Sequence, residues 1–158
     1  LKFCDIIKKI PEIEIVVKLH PSQDKHNDDI KNIFKKIDSS ILVYHVKPIT
    51  ELISMSDVVV TVSPEGFDPT TVILESMIQE KPTMNIILDD NLFEFEYVKD
   101  NAVLSIFFND QLETNLKNIL FNNEIKNNLI KNGKNHIKNY LTNPGTSSKY
   151  FAKIIDSF

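Results

Sequence analysis

The stretch DVVVTVSPEGFDPTTVILESMIQEKPTMNIIL, residues 57–88, decides the fold. It opens on Asp57-Val58-Val59-Val60-Thr61-Val62-Ser63, a nearly continuous β-branched run of the kind that a strand buried on both faces needs. Pro69 then stands where a first helical residue would stand, a place where its fixed φ and missing N–H do no harm. From Thr70 to about Gln79 the apolar positions keep helical spacing. Lys81-Pro82 ends that pattern, and Thr83 to Leu88 reads as a strand again. A strand, a helix and a strand joined by short turns imply a right-handed crossover and parallel pairing.

The same alternation extends outward. Upstream, Ile13-Glu14-Ile15-Val16-Val17-Lys18-Leu19 and Ile41-Leu42-Val43-Tyr44-His45-Val46 read as strands, the first running into His20-Pro21 and the second closed by Pro48. Between them, Asp28 to Ile37 carries Ile30, Ile33, Phe34 and Ile37 on one helical face. Thr50 is expected to cap a helix whose apolar side is Leu52, Ile53 and Met55. Before the first strand, Phe3, Ile6, Ile7 and Ile10 keep helical spacing as far as Pro11. Downstream, 92–100 fits neither period, 102–107 reads as a weak last strand, and the chain turns helical from about residue 110. These elements predict one domain over residues 1–158, a three-layer α/β unit with a mainly parallel sheet and a helical tail.

Composition narrows the chemistry. With 158 residues, a net charge of -4, 42% hydrophobic and 25% charged residues, the chain has the balance of a soluble globular domain. All 18 basic residues are lysines, and the three glycines are Gly66, Gly133 and Gly145. Glycine-rich phosphate loops and guanidinium clamps are therefore excluded, and a phosphate would have to be held by backbone amides, hydroxyls, His or Lys. No lysine-dense stripe interleaves with aromatics, so no nucleic-acid partner is expected. The single Cys4 allows no internal disulfide, and His26, His45 and His136 lack ligand spacing, so no metal is expected. Asp89-Asp90 reads as a solvated turn. The text opens on Leu1 without a leader, which suggests a piece of a longer protein.

Ligands of open parallel sheets sit at the carboxyl ends of the strands, and two polar clusters fall there. Lys18-Leu19-His20-Pro21-Ser22 ends the first strand, with an imidazole and a hydroxyl able to donate to a phosphate oxygen. Taken alone, it equally describes a histidine that caps a strand and faces water. The second cluster runs from Ser63 through Asp68 to Thr70, Thr71 and Glu75, where a buried strand turns into a helix whose first amides suit an anion. Here too Asp68 can be a plain cap, Thr70 and Thr71 first-turn residues, and Glu75 a solvated side chain.

Taken in order, Lys18-Leu19-His20-Pro21, Leu52-Ile53-Ser54-Met55-Ser56-Asp57-Val58-Val59-Val60-Thr61, Thr70-Thr71-Val72-Ile73-Leu74-Glu75-Ser76-Met77 and Lys81-Pro82 resemble the C-terminal, Rossmann-like nucleotide-binding half of GT-B glycosyltransferases. The likeness is nearest to capsule and surface-polysaccharide enzymes of the sialyltransferase, polysialyltransferase and glycerophosphotransferase type. The resemblance implies nucleotide-phosphate contacts from His20, Ser22, Ser63, Thr70 and Thr71, a ribose contact from Glu75, and a base-lining segment from Val46 to Ile49. It implies a UDP-, CMP- or CDP-linked sugar donor, no further cofactor, and a cytoplasmic enzyme, at most peripheral at the inner membrane face. The general base and acceptor site belong to an N-terminal domain outside this chain, so the chain alone is expected to be inactive.

Two other readings share the element order. A UDP-N-acetylglucosamine 2-epimerase-like domain would need a hydroxyl-glycine turn that 63–71 does not spell. A non-catalytic α/β module of response-regulator type would need an acidic end to its first strand, where Lys18 and His20 stand instead. A degenerate, non-catalytic glycosyltransferase domain also fits, and Glu65 and Asp68 in the turn are its main support.

Overall fold

In the computed structural model, which describes residues 2–20, 26–63, 70–88, 95–108, 111–142 and 145–157, strands and helices alternate as the hydrophobic pattern requires. The order is α1 (Lys2–Ile7), β1 (Val16–Lys18), α2 (Asn27–Ile37), β2 (Leu42–Tyr44), α3 (Ile49–Met55), β3 (Val59–Ser63), α4 (Thr70–Ile78), β4 (Thr83–Ile87), α5 (Glu96–Lys99) and β5 (Leu104–Phe107). Three helices, α6 (Leu112–Phe121), α7 (Asn123–Tyr140) and α8 (Ser147–Ile155), form the tail.

Every strand pair is parallel: β1 with β2 in one ladder, and β3, β4 and β5 in that order in another. The fold is thus α/β and compatible with a Rossmann-like α/β/α arrangement. The hydrogen-bonded strands nevertheless form two sheets where the pattern suggested one. Hydropathy marks a strand as buried but carries no information about its neighbour, and β1 and β2 are only three residues long.

The period-2 alternation of strands separates the faces of the larger sheet. Met84 and Ile86 of β4 join Ile6, Ile7 and Ile10 from the α1 region and Leu112, Leu116 and Ile119 of α6 in one buried cluster. On the other side, Ile73 and Met77 of α4 meet Tyr97, Ala102 and Val103. Each fully buried aliphatic side chain here contributes about 1.5–3 kcal/mol relative to exposure.

Turn chemistry follows from the glycine shortage. Helix α4 ends with Glu80 in the left-handed region at φ 57, its N–H bonding Met77 O at 3.0 Å and the next N–H bonding Ser76 O at 2.9 Å. Helix α5 repeats the device with Asn101 at φ 51. Both are Schellman ends, which usually carry glycine. At the start of α3 the N-cap is Pro48, with no side-chain cap, so Thr50 lies inside the helix instead of capping it. Asn122 is a true cap, accepting from the N–H groups of Glu124 and Ile125 at the head of α7.

Candidate functional site

In each parallel ladder the carboxyl ends of the strands lie side by side, and most of the candidate residues fall there or at the helix that follows. At the end of β1, Leu19 is buried and its N–H donates to Tyr44 O at 2.9 Å. His20 follows as an exposed residue, and Ser22 lies outside the described residues. The Lys18 ammonium turns back across the two strand ends, donating to Leu19 O at 2.7 Å and to His45 O at 2.8 Å.

The segment after β2 leaves Val46 87% exposed, an apolar side chain standing free at a strand terminus. Lys47 lies over the Tyr44 ring, 5.2 Å from its centroid, and pairs loosely with Glu51 at 3.8 Å. Ile49 is half-buried and begins α3. The backbone from Val46 to Ile49 thus forms a short rim beside His45.

At the end of β3 the Ser63 hydroxyl faces inward, buried, and donates to Asn85 Oδ1 at 2.9 Å. Thr61 Oγ1 donates to the same oxygen at 2.8 Å. A hydroxyl has one proton, so Ser63 in this arrangement has no donor left for a phosphate. Its place is in a polar seam, with Asn85 at its centre, that runs beneath α4. The register sets Asn85 opposite both Thr61 and Ser105, one polar row across three strands. Ser105 Oγ in this row is buried without a hydrogen-bond partner.

The turn 64–69, with Glu65 and Asp68, lies outside the described residues. Thr70 is the first residue of α4, and its side chain lies outside the description as well. Thr71 is exposed in the first turn, and Glu75, four residues on, shares its helix face. The rotation of α4 is set on its other side by buried Ile73 and Met77. Glu75 is half-buried, and its Oε2 is shut away from solvent with no hydrogen-bond partner. An acceptor enclosed without a donor is costly, of order 1–3 kcal/mol, and more when charged.

Asn85 and Lys18 carry much of this geometry, yet neither stands out as a candidate in the sequence. Asn85 did leave a signal, a carboxamide interrupting the apolar strand Thr83-Met84-Asn85-Ile86-Ile87. A third polar contact lies apart from the strand ends: buried His136 of α7 bonds Asp100 through Nδ1 at 2.6 Å and stacks on Tyr140. It joins α7 to the turn before β5. The described residues contain no group of three or more His, Cys, Asp or Glu able to hold a metal. No helix among them is long and apolar enough to cross a membrane.

Set beside known proteins, the chain matches no family model, and no curated protein matches it. The geometry of the strand ends therefore has to carry the functional reading.

Proposed function

We propose that the chain is the donor-nucleotide-binding domain of a GT-B-type glycosyltransferase that builds cell-surface polysaccharide or glycan. The observation that carries this reading is Glu75 Oε2, an enclosed carboxylate oxygen without a donor, on the helix that leaves the carboxyl end of β3. Lacking a donor where it lies, the half-buried Glu75 carboxylate has every reason to turn outward, where a ribose diol would supply two O–H donors. The first turn of α4, with its amides and the exposed Thr71 hydroxyl, is suited to the adjoining phosphates, because a helix start carries partial positive charge. Exposed His20, two residues past β1, adds an imidazole at the strand end, and exposed Val46 with half-buried Ile49 offers the base an apolar rim.

These groups bind and orient the donor and stabilise the departing nucleoside phosphate; none needs to move a proton. A UDP-, CMP- or CDP-linked sugar is the donor class. Proton abstraction from the acceptor belongs to a partner domain.

The test is a titration of the chain with UDP, CDP and CMP, followed by calorimetry and by NMR. Glu75→Ala is expected to weaken the best of these ligands by roughly 10- to 100-fold, the equivalent of one or two hydrogen bonds to a charged group. His20→Ala is expected to weaken it further. No binding at millimolar nucleotide, or binding indifferent to both substitutions together, would overturn the reading.

A further inference from the structure

We infer that α8 docks the chain on an anionic lipid bilayer, lying in the headgroup layer with Tyr150, Phe151, Ile154 and Ile155 turned inward, a reading that stands apart from the nucleotide site. Every residue of α8 is exposed, and these four side chains keep between 40 and 64% of their surface in solvent. Their spacing puts them on one side of the helix, while Lys149 and Lys153, one turn apart, fall on the other. A helix so patterned ordinarily buries its apolar side against its own domain. This one leaves it open, and an exposed apolar stripe marks a surface that meets something else.

Charge indicates what it meets. Residues 125–158 carry six lysines against one acid, Asp156, a net charge of +5; residues 1–124 carry 12 lysines against 21 acids, a net charge of -9. Three of the six, Lys131, Lys134 and Lys138, recur at intervals of three and four along the exposed side of α7, the helix that leads into α8. Lys134 also meets Glu80 at 2.9 Å. An acidic protein thus gathers its positive charge on the two helices that carry or adjoin the apolar stripe. An anionic bilayer attracts those helices and repels the rest of the chain, which orients the molecule with α8 toward the lipid. A second copy is a poorer match, because joining two such faces brings like charges together.

Length decides the mode of binding. Nine residues rise about 13 Å, too little to cross a bilayer, and no described helix is long and apolar enough to do so. Helix α8 therefore lies along the surface, its phenylalanine and isoleucines at the acyl boundary and the Tyr150 ring at headgroup level.

The experiment is flotation of the whole chain with phosphatidylcholine vesicles prepared with and without phosphatidylglycerol. The anionic vesicles are expected to bind at least about 10-fold more tightly than the neutral ones, with the difference shrinking as salt is raised. Lys149→Gln with Lys153→Gln should weaken binding to anionic vesicles by about 10- to 30-fold, the scale of two lysines near such a surface. Phe151→Ser with Ile155→Ser should weaken it by roughly 30-fold or more. All four side chains are exposed, so urea midpoints should stay near that of the wild type. The chain has no tryptophan, so Phe151→Trp supplies a single emission that should shift to the blue on anionic vesicles. No flotation at millimolar anionic lipid, an emission that does not shift, or binding indifferent to both pairs of substitutions would overturn the inference. So would a lipid-free dimer that Phe151→Ser with Ile155→Ser disperses and that ignores vesicles, since the stripe would then belong to a second copy. Each of these results leaves nucleotide affinity, measured separately, as the judge of the donor site.

Discussion

Replacing Asn85 by alanine is expected to cost about 3 kcal/mol of folding stability. Its side chain is 1% exposed, and its Oδ1 accepts from Thr61 at 2.8 Å and Ser63 at 2.9 Å. Alanine strands both hydroxyls in the seam beneath α4. Thr61 has a fallback, a longer contact with Met84 O at 3.4 Å, so its loss is partial. Ser63, 5% exposed, forfeits the Asn85 acceptor, and a buried unsatisfied donor costs about 1–3 kcal/mol. The void left by the carboxamide adds roughly 1 kcal/mol. The sum is a large part of the roughly 5–15 kcal/mol that holds an ordinary domain together. Urea unfolding should show it as a midpoint lowered by about 1–2 M at unchanged slope. The decisive control is the triple change Thr61→Val, Ser63→Ala and Asn85→Leu, which removes donors and acceptor together and should recover most of the loss. An Asn85→Ala cost below about 0.5 kcal/mol, or a triple variant no better than the single one, would refute the reasoning.

Three further outcomes are expected. A Cβ on Gly133 would stand 3.2 Å from Met77 Cγ at the α4–α7 contact, so Gly133→Ala should stay within about 1 kcal/mol of wild type while Gly133→Val loses roughly 1–3 kcal/mol, read as a fall in Tm. Glu80 at φ 57 closes α4 in a conformation that glycine adopts freely, so Glu80→Gly should exceed Glu80→Val in stability by about 2 kcal/mol, both variants losing alike an exposed pair with Lys134. The Ser40 hydroxyl and then the Ser40 N–H hold the Asp38 carboxyl below its ordinary range. A depressed folded pKa means a contribution present at neutral pH and lost as pH falls through that lowered value. Ser40→Ala should therefore move the Asp38 titration upward toward the ordinary aspartate range, which carboxyl NMR across the acidic limb would record.

The β3–α4–β4 core was legible because residues 57–88 combine three independent signals: a β-branched run, a helical period and a Lys-Pro stop. The tail helices were legible for the same reason, since Leu112, Leu116 and Ile119 keep one face. Helix α5 was not, because four residues are too few to show a period, and its end is marked by Asn101 in place of a glycine. Thr50 misled as a cap because a hydroxyl beside a helix start is a good general signal, yet Pro48, two residues earlier, already sets the entry to α3. At the site, Glu75 could be singled out from its distance past the turn, whereas Lys18 could not. A lysine ending a strand looks solvated until His45, 27 residues away, is brought alongside. Ser63 shows the opposite difficulty: its position after a strand suggests a ligand donor, while the proton it offers is taken by a residue on the next strand.

Dividing five parallel strands into a pair and a triplet has a consequence for handling the protein. A single five-stranded sheet has two borders; two ladders of two and three strands have four, as counted in hydrogen bonds among the described residues. An uncovered border is a row of amides and carbonyls that can template another chain, and β3, one of the border strands, is built from Val59, Val60 and Val62. The chain should accordingly be most prone to clump when concentrated or partly unfolded, and a lysine placed at half-exposed Val62 should raise its solubility more than one placed on any helix surface.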